Sequence, residues 1–213
     1  MARSNGATGA PNGKISKLVF YQLNGQEVIR GIGDKKKIKS TKVLAQNQSI
    51  KILMQFFNKI KPFLKAGFKN EASGTIYNYH NLATAYNRKH AIAFEGEQPV
   101  LMFDKVLLSR GTAALPRNPA VEMAFEGLRF NWDIQPDLSW EVNQDQVMLL
   151  AWFPELNETL FTTAGALRSS GTDLLELSPA YRNQQAETYI AFVSQDRESV
   201  SNSIYLGTIA KSH

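Results

Sequence analysis

A chain of 213 residues, 43% hydrophobic and 20% charged, is long enough to bury a core, and its lack of cysteine excludes disulfides, thiolate metal sites and cysteine nucleophiles. The net charge of +5 is unevenly spread: residues 1–69 hold 14 Lys and Arg against two acids, a net of +12, and residues 70–213 hold 10 against 17, a net of −7. A split of this kind serves either solubility or an anionic partner, which is nucleic acid or the acidic half of a second copy.

The opening stretch MARSNGATGAPNG has no apolar centre, so it predicts no secretory signal and places the protein in the cytoplasm or in a particle. Its apolar runs are far shorter than the roughly 20 residues that span a bilayer, which predicts a soluble protein without a membrane span. Residues 1–13, rich in Gly, Ser, Asn and Ala, predict a flexible N-terminal arm. Lys17 to Arg30 reads as a β-hairpin, with Asn24 and Gly25 supplying the two positive-φ positions of a type I′ turn. Both faces of that hairpin are partly apolar, so it is expected to pair with other strands or pack on a neighbour. Gly31 to Gly33 ends the strand, and Lys35, Lys36, Lys37, Ile38 and Lys39 form a basic connector.

Ser40 to Leu64 predicts one long amphipathic helix, with Val43, Leu44, Ile50, Leu53, Met54, Phe57, Ile60 and Leu64 at steps of three and four. Pro62 either kinks its last turn or ends it. The opposite face carries Lys42, Lys51, Lys59, Lys61 and Lys65, and Lys35, Lys36, Lys37, Lys39, Lys42, Lys51 and Lys59 are the candidate contacts for assembly or for an anion. Ala66-Gly67-Phe68 reads as a stop and Lys69 to Gly74 as a polar loop. A second helix is expected from Tyr79 to near Phe94, and a strand over Val100–Arg110. The two prolines of residues 112–119 mark a linker.

From Ala120 onward, seven short runs separated by turn signals predict a two-sheet sandwich. Leu128, Phe130, Trp132, Val147, Leu149, Ala151, Tyr189, Ala191 and Val193 are its expected inward residues, because alternate strand positions share a face. The fold class is therefore an α+β N-terminal domain of hairpin plus two helices at 14–111, then an all-β immunoglobulin/fibronectin III-like sandwich at 120–213.

Reactive chemistry is hard to assemble from these residues. His80 and His90 lack partners at metal-ligand spacing, and Gly31-Ile32-Gly33 lacks the continuation of a phosphate loop. Asp133, Asp137, Glu141 and Asp145 cluster between strands and are weighed as a calcium site against ordinary acidic loops. Trp140 is the surface tryptophan to weigh as a carbohydrate platform. No metal, cofactor, small-molecule substrate or enzymatic activity is expected. Two functional readings remain: a structural subunit that self-assembles head to tail into a filament or phage-like particle, and a nucleic-acid-binding protein using the lysine-rich half. The scarcity of arginine there favours the first.

Two resemblances accompany this reading. Leu128-x-Phe130-x-Trp132 resembles the second strand of a fibronectin type III module. Leu177-x-Pro179 with Tyr189-x-Ala191-x-Val193 resembles its proline-and-tyrosine corner, although Tyr189 follows Pro179 by a longer interval than usual. Ser199 to Leu206 resembles the last strand. Over nearly its full length the chain also resembles an uncharacterised family, a domain of unknown function found in Bacteroidota. That resemblance is carried by Gly13–Ser16, Val19–Arg30, Ile60–Phe63 with Gly67-Phe68, Val106–Gly111, Asp145–Leu150, Thr188–Ile190 and Ser203–Gly207. It lacks the usual spacer after the first Gly-Lys-Ile-Ser element, and it implies a two-part architecture and no particular activity.

Overall fold

The computed structural model describes residues 2–4, 11–23, 26–34 and 40–210. The fold is α+β, with five α-helices among the described residues and several antiparallel sheets. Residues 1–44 and 45–213 form two compact units.

The first unit is a four-stranded antiparallel sheet, ordered β1 (Ala2–Ser4), β2 (Pro11–Ile15), β3 (Leu18–Leu23), β4 (Gln26–Gly31). Leu23 pairs with Gln26, so β3 and β4 are joined by two residues, as the hairpin reading requires. Asn24 and Gly25 themselves lie outside the described residues. The stretch expected to be an arm instead contributes β1 and β2. Its polar composition predicts no core of its own, but the open edge of β3 offers backbone groups that any extended segment can pair with. Residues 12–22, 26–34 and 40–44 of this unit are all exposed or only partly buried.

Three helices follow, α1 (Thr41–Lys59), whose first turn closes the first unit, then α2 (Lys61–Ala72) and α3 (Tyr79–His90) in the second. The expected helix to Leu64 breaks at Ile60, whose ψ of 22° leaves helical geometry just before Pro62. The chain then resumes as a helix straight through Ala66-Gly67-Phe68, which was expected to stop it. Gly67 is there for packing: a Cβ would lie 2.3 Å from the Leu108 carbonyl oxygen and 2.7 Å from Ser109 Cα. Gly67→Ala is accordingly expected to destabilise by about 1–3 kcal/mol despite alanine's better helix propensity. Urea unfolding measures this, and an unchanged midpoint would show that the 108–109 segment yields freely.

Helix α3 stops four residues short of the expected end. Asn78 caps its start by accepting the Asn81 N–H at 2.8 Å, and Ile92–Glu95 becomes β5, paired with β6 (Gln98–Leu101). The expected strand to Arg110 gives way at Phe103–Lys105 to a 3-10 turn. The backbone after it is held from outside. Buried Asn87 donates to the Leu107 carbonyl and accepts the Leu107 N–H, both at 2.8 Å, while Ser109 Oγ donates to Ser201 O.

The remaining seven strands form two antiparallel sheets. One is β11 (Thr172–Glu176), β8 (Gly127–Asp133), β7 (Arg117–Met123); the other is β10 (Glu158–Thr162), β9 (Gln146–Phe153), β12 (Ala186–Val193), β13 (Ile204–Ile209). One-turn helices α4 (Trp140–Asn143) and α5 (Pro179–Arg182) lie in their connections. Leu128, Phe130 and Trp132 pack across to Val147, Leu149, Ala151, Ile190 and Phe192, so the two sheets share a core. A second core lies on the other face of the four-stranded sheet, where Met148, Leu150, Trp152 and Tyr189 meet Leu53, Phe56, Phe57, Ile60, Phe63 and Leu64.

This second core carries two corrections. Tyr189, Ala191 and Val193, expected between the sheets, face the helices, while Ile190 and Phe192 take the inter-sheet positions. Register decides the parity: Tyr189 pairs with Leu150 and Ala191 with Met148. Every residue of β12 is buried, so alternation in the sequence carries no sign. The segment 112–119, read as a linker between domains, already belongs to β7 from Arg117, and the helices before it share a core with the sheet after it.

Candidate functional site

Of the candidate lysines, Lys42, Lys51 and Lys59 are exposed on α1, as their helical phase predicts. Lys35, Lys36, Lys37 and Lys39 lie outside the described residues, as do Asn24 and Gly25. The buried residues of the helix are Ser49, Leu53, Phe56 and Phe57, followed by Ile60 at the break, whereas Val43 and Leu44, expected on that face, are exposed.

In the N-terminal sheet, pairing places Ile15 opposite Leu18, and Phe20 opposite Ile29. Strand alternation puts all four on one face. That face is open, with Ile29 63% exposed and Ile15 and Leu18 also solvent-facing. Glu27, two residues before Ile29 on β4, shares that face and is exposed, and Asp34 lies 3.8 Å from exposed Lys17.

The most concentrated electrostatics lie inside the second unit. Arg168 is 1% exposed and Asp145 4%, and their side chains meet at 3.0 Å. The guanidinium also donates to Ala114 O at 2.7 Å and Leu115 O at 3.4 Å, and lies 3.8 Å from the centroid of the Phe192 ring. Burial raises the Asp145 carboxyl above its ordinary value against the opposing pull of Arg168, and burial lowers Arg168 against the opposing pull of Asp145. This pair ties the backbone at Ala114 and Leu115 to the buried side of the four-stranded sheet through Arg168. Asp145 therefore leaves the acidic cluster that the sequence placed it in, whereas Asp133, Asp137 and Glu141 stay exposed. Nothing in the spacing of residues 145 and 168 announces the pair, because a lone arginine in a serine-rich turn reads as surface.

Glu187 is a second buried carboxylate. It accepts from Tyr205 Oη, from Thr208 Oγ1 at 2.9 Å and from the Gln185 amide at 3.2 Å, so neutral donors satisfy it. Tyr189 Oη donates to Phe103 O at 2.8 Å. It pins the 3-10 turn to the sheet and makes no corner with the segment around Pro179.

His80 is partly buried edge-on to Phe57, and burial followed by Lys61 lowers its pKa. His90 lies against Tyr86. Among the described residues no group of three or more His, Asp or Glu is placed to hold a metal, and no helix is long and apolar enough to cross a membrane. Trp140 is exposed on α4, and Trp132 and Trp152 are core.

A family model described as a family of unknown function (DUF6266) matches residues 10–207. No curated protein and no solved structure matches the chain significantly.

Proposed function

The chain belongs to this family of unknown function, and from that premise we propose that it is a non-enzymatic structural subunit that self-assembles, the N-terminal sheet of one copy seating on the sandwich unit of the next. The observation that carries the reading is the first unit: a sheet whose Ile15, Leu18 and Ile29 are open to solvent and in which residues 12–22 and 26–31 include no buried side chain. A sheet of that size needs a covering surface for independent stability. Its charge says which surface. Residues 1–44 hold nine Lys and Arg against two acids, so two such units repel, while residues 70–213 are net negative. Basic and acidic ends in one chain favour a heterologous contact, which closes into a ring or extends as a filament.

The sandwich itself we read as fibronectin type III-like. Three strands ordered β11-β8-β7 facing four ordered β10-β9-β12-β13, all antiparallel, support that reading, as does Trp132 in the shared core. The helices on its outer face are an addition to such a module.

Sedimentation velocity tests the assembly. The full chain is expected to form fast-sedimenting species at 0.1 M salt that dissociate at 1 M, where the Debye length falls from about 10 Å to about 3 Å. Ile29→Glu is expected to weaken them at 0.1 M salt, because it places a charge on the apolar face. A full-length protein that stays monomeric at high concentration in low salt overturns the reading. It would shift weight to the second one, a nucleic-acid face built on exposed Lys42, Lys51 and Lys59, which fluorescence polarisation with labelled DNA and RNA measures directly.

A further inference from the structure

One end of the sandwich presents an aromatic side chain to solvent beside a cleft. Phe125 is 87% exposed on the tight turn between β7 and β8, which closes through the Ala124 N–H to Gly127 O at 2.7 Å. Next to it, Glu126, Leu160, Glu176, Leu177, Tyr181 and Arg182 line a cleft of about 630 Å³. Its one lining cation is Arg182, whose Nε donates to Leu177 O at 3.3 Å and whose guanidinium lies 5.4 Å from the Phe125 ring centroid. Tyr181 Oη is likewise committed, to Glu158. Neither Glu126 nor Glu176 has a cation partner among the described residues. A cleft with apolar walls, an exposed phenyl ring at its mouth and two unpaired carboxylates suits a ligand that combines an aliphatic group with flanking cations.

We infer that this cleft receives the Lys35-Lys36-Lys37-Ile38-Lys39 segment of a second copy, with Ile38 against Phe125 and the lysines facing Glu126 and Glu176. The inference rests on the assembly reading and names its contact. Charge complementarity selects the occupant: four lysines around one isoleucine, in the net-positive unit, match the net-negative cleft. An anionic occupant would meet two carboxylates against the single arginine.

A labelled peptide covering residues 33–42 is titrated against the full-length protein by fluorescence polarisation. Binding is expected at 0.1 M salt, weakened about tenfold or more by Glu126→Gln with Glu176→Gln, equivalent to about 1.4 kcal/mol, and comparably by Phe125→Ala. A peptide carrying serine in place of Ile38 is expected to bind less well. All three protein sites lie at the surface, so the variants keep the wild-type melting temperature. In sedimentation, the double glutamine variant is expected to lose the fast species. If it assembles like wild type, the cleft assignment falls while self-assembly stands; if wild type neither assembles nor binds the peptide, both fall. Peptide binding that is equal in wild type and variants is non-specific and overturns the assignment.

Discussion

Arg168→Leu is expected to lower the free energy of unfolding by about 3–5 kcal/mol, because it leaves the Asp145 carboxylate buried without its cation. The loss extends beyond the ion pair. Ala114 O and Leu115 O lose their donor, and the face of Phe192 loses the guanidinium stacked on it. Asp145→Asn removes the charge of the other partner and leaves an uncompensated guanidinium in the same site. A double variant, Arg168→Met with Asp145→Leu, is expected to recover much of either single loss, because buried pairs are often replaceable by apolar residues. Urea unfolding of the four proteins measures each single loss and the recovery in the double variant. Single losses below about 1 kcal/mol would show that water reaches the pair, as it does for exposed ion pairs.

Trp132→Ala is expected to cost about 3–5 kcal/mol, the usual range for deleting a buried aromatic. The ring is 5% exposed and meets Phe192 edge-on at 5.4 Å, in the middle of the core between the two sheets. Its indole N–H also donates to Arg168 O at 2.7 Å, so Trp132→Phe, which retains most of the apolar contact, is still expected to cost about 1–3 kcal/mol through the orphaned carbonyl. Trp132 and Arg168 touch, and combined variants should depart from additivity. Thermal and urea unfolding provide the readout. A Trp132→Ala protein as stable as wild type would mean that the two sheets are not held together through this ring.

Elements governed by local pattern were legible in the chain. The hairpin of β3 and β4 follows from Asn24-Gly25 between strand-like runs, and Leu23 pairs with Gln26 as a two-residue turn demands. The buried side of α1 follows from a 3.6-residue period at Leu53 and Phe57 that continues to Ile60 just past its end. Seven strands after residue 116 fall close to seven apolar runs bounded by turns, and Leu128, Phe130 and Trp132 face inward because β8 alternates buried and open positions. The exposure of Lys42, Lys51 and Lys59 belongs to the same class.

Only tertiary structure decided the rest, and in each case the cause lies far along the chain. Strand β12 is covered on both faces, so the side taken by Tyr189 was set by its pairing with Leu150, not by alternation. Gly67 reads as a helix stop locally, yet it sits within α2 because the backbone at Leu108 and Ser109 passes where a side chain would stand. Polar residues 11–15 became a strand because β3 supplied an edge to pair with. Arg168 is buried because Asp145, 23 residues away, and the carbonyls at 114 and 115 converge on it. Periodicity and turn chemistry are properties of neighbouring residues, and the sequence by itself determines them; close approach, register and charge pairing exist only once distant segments have met.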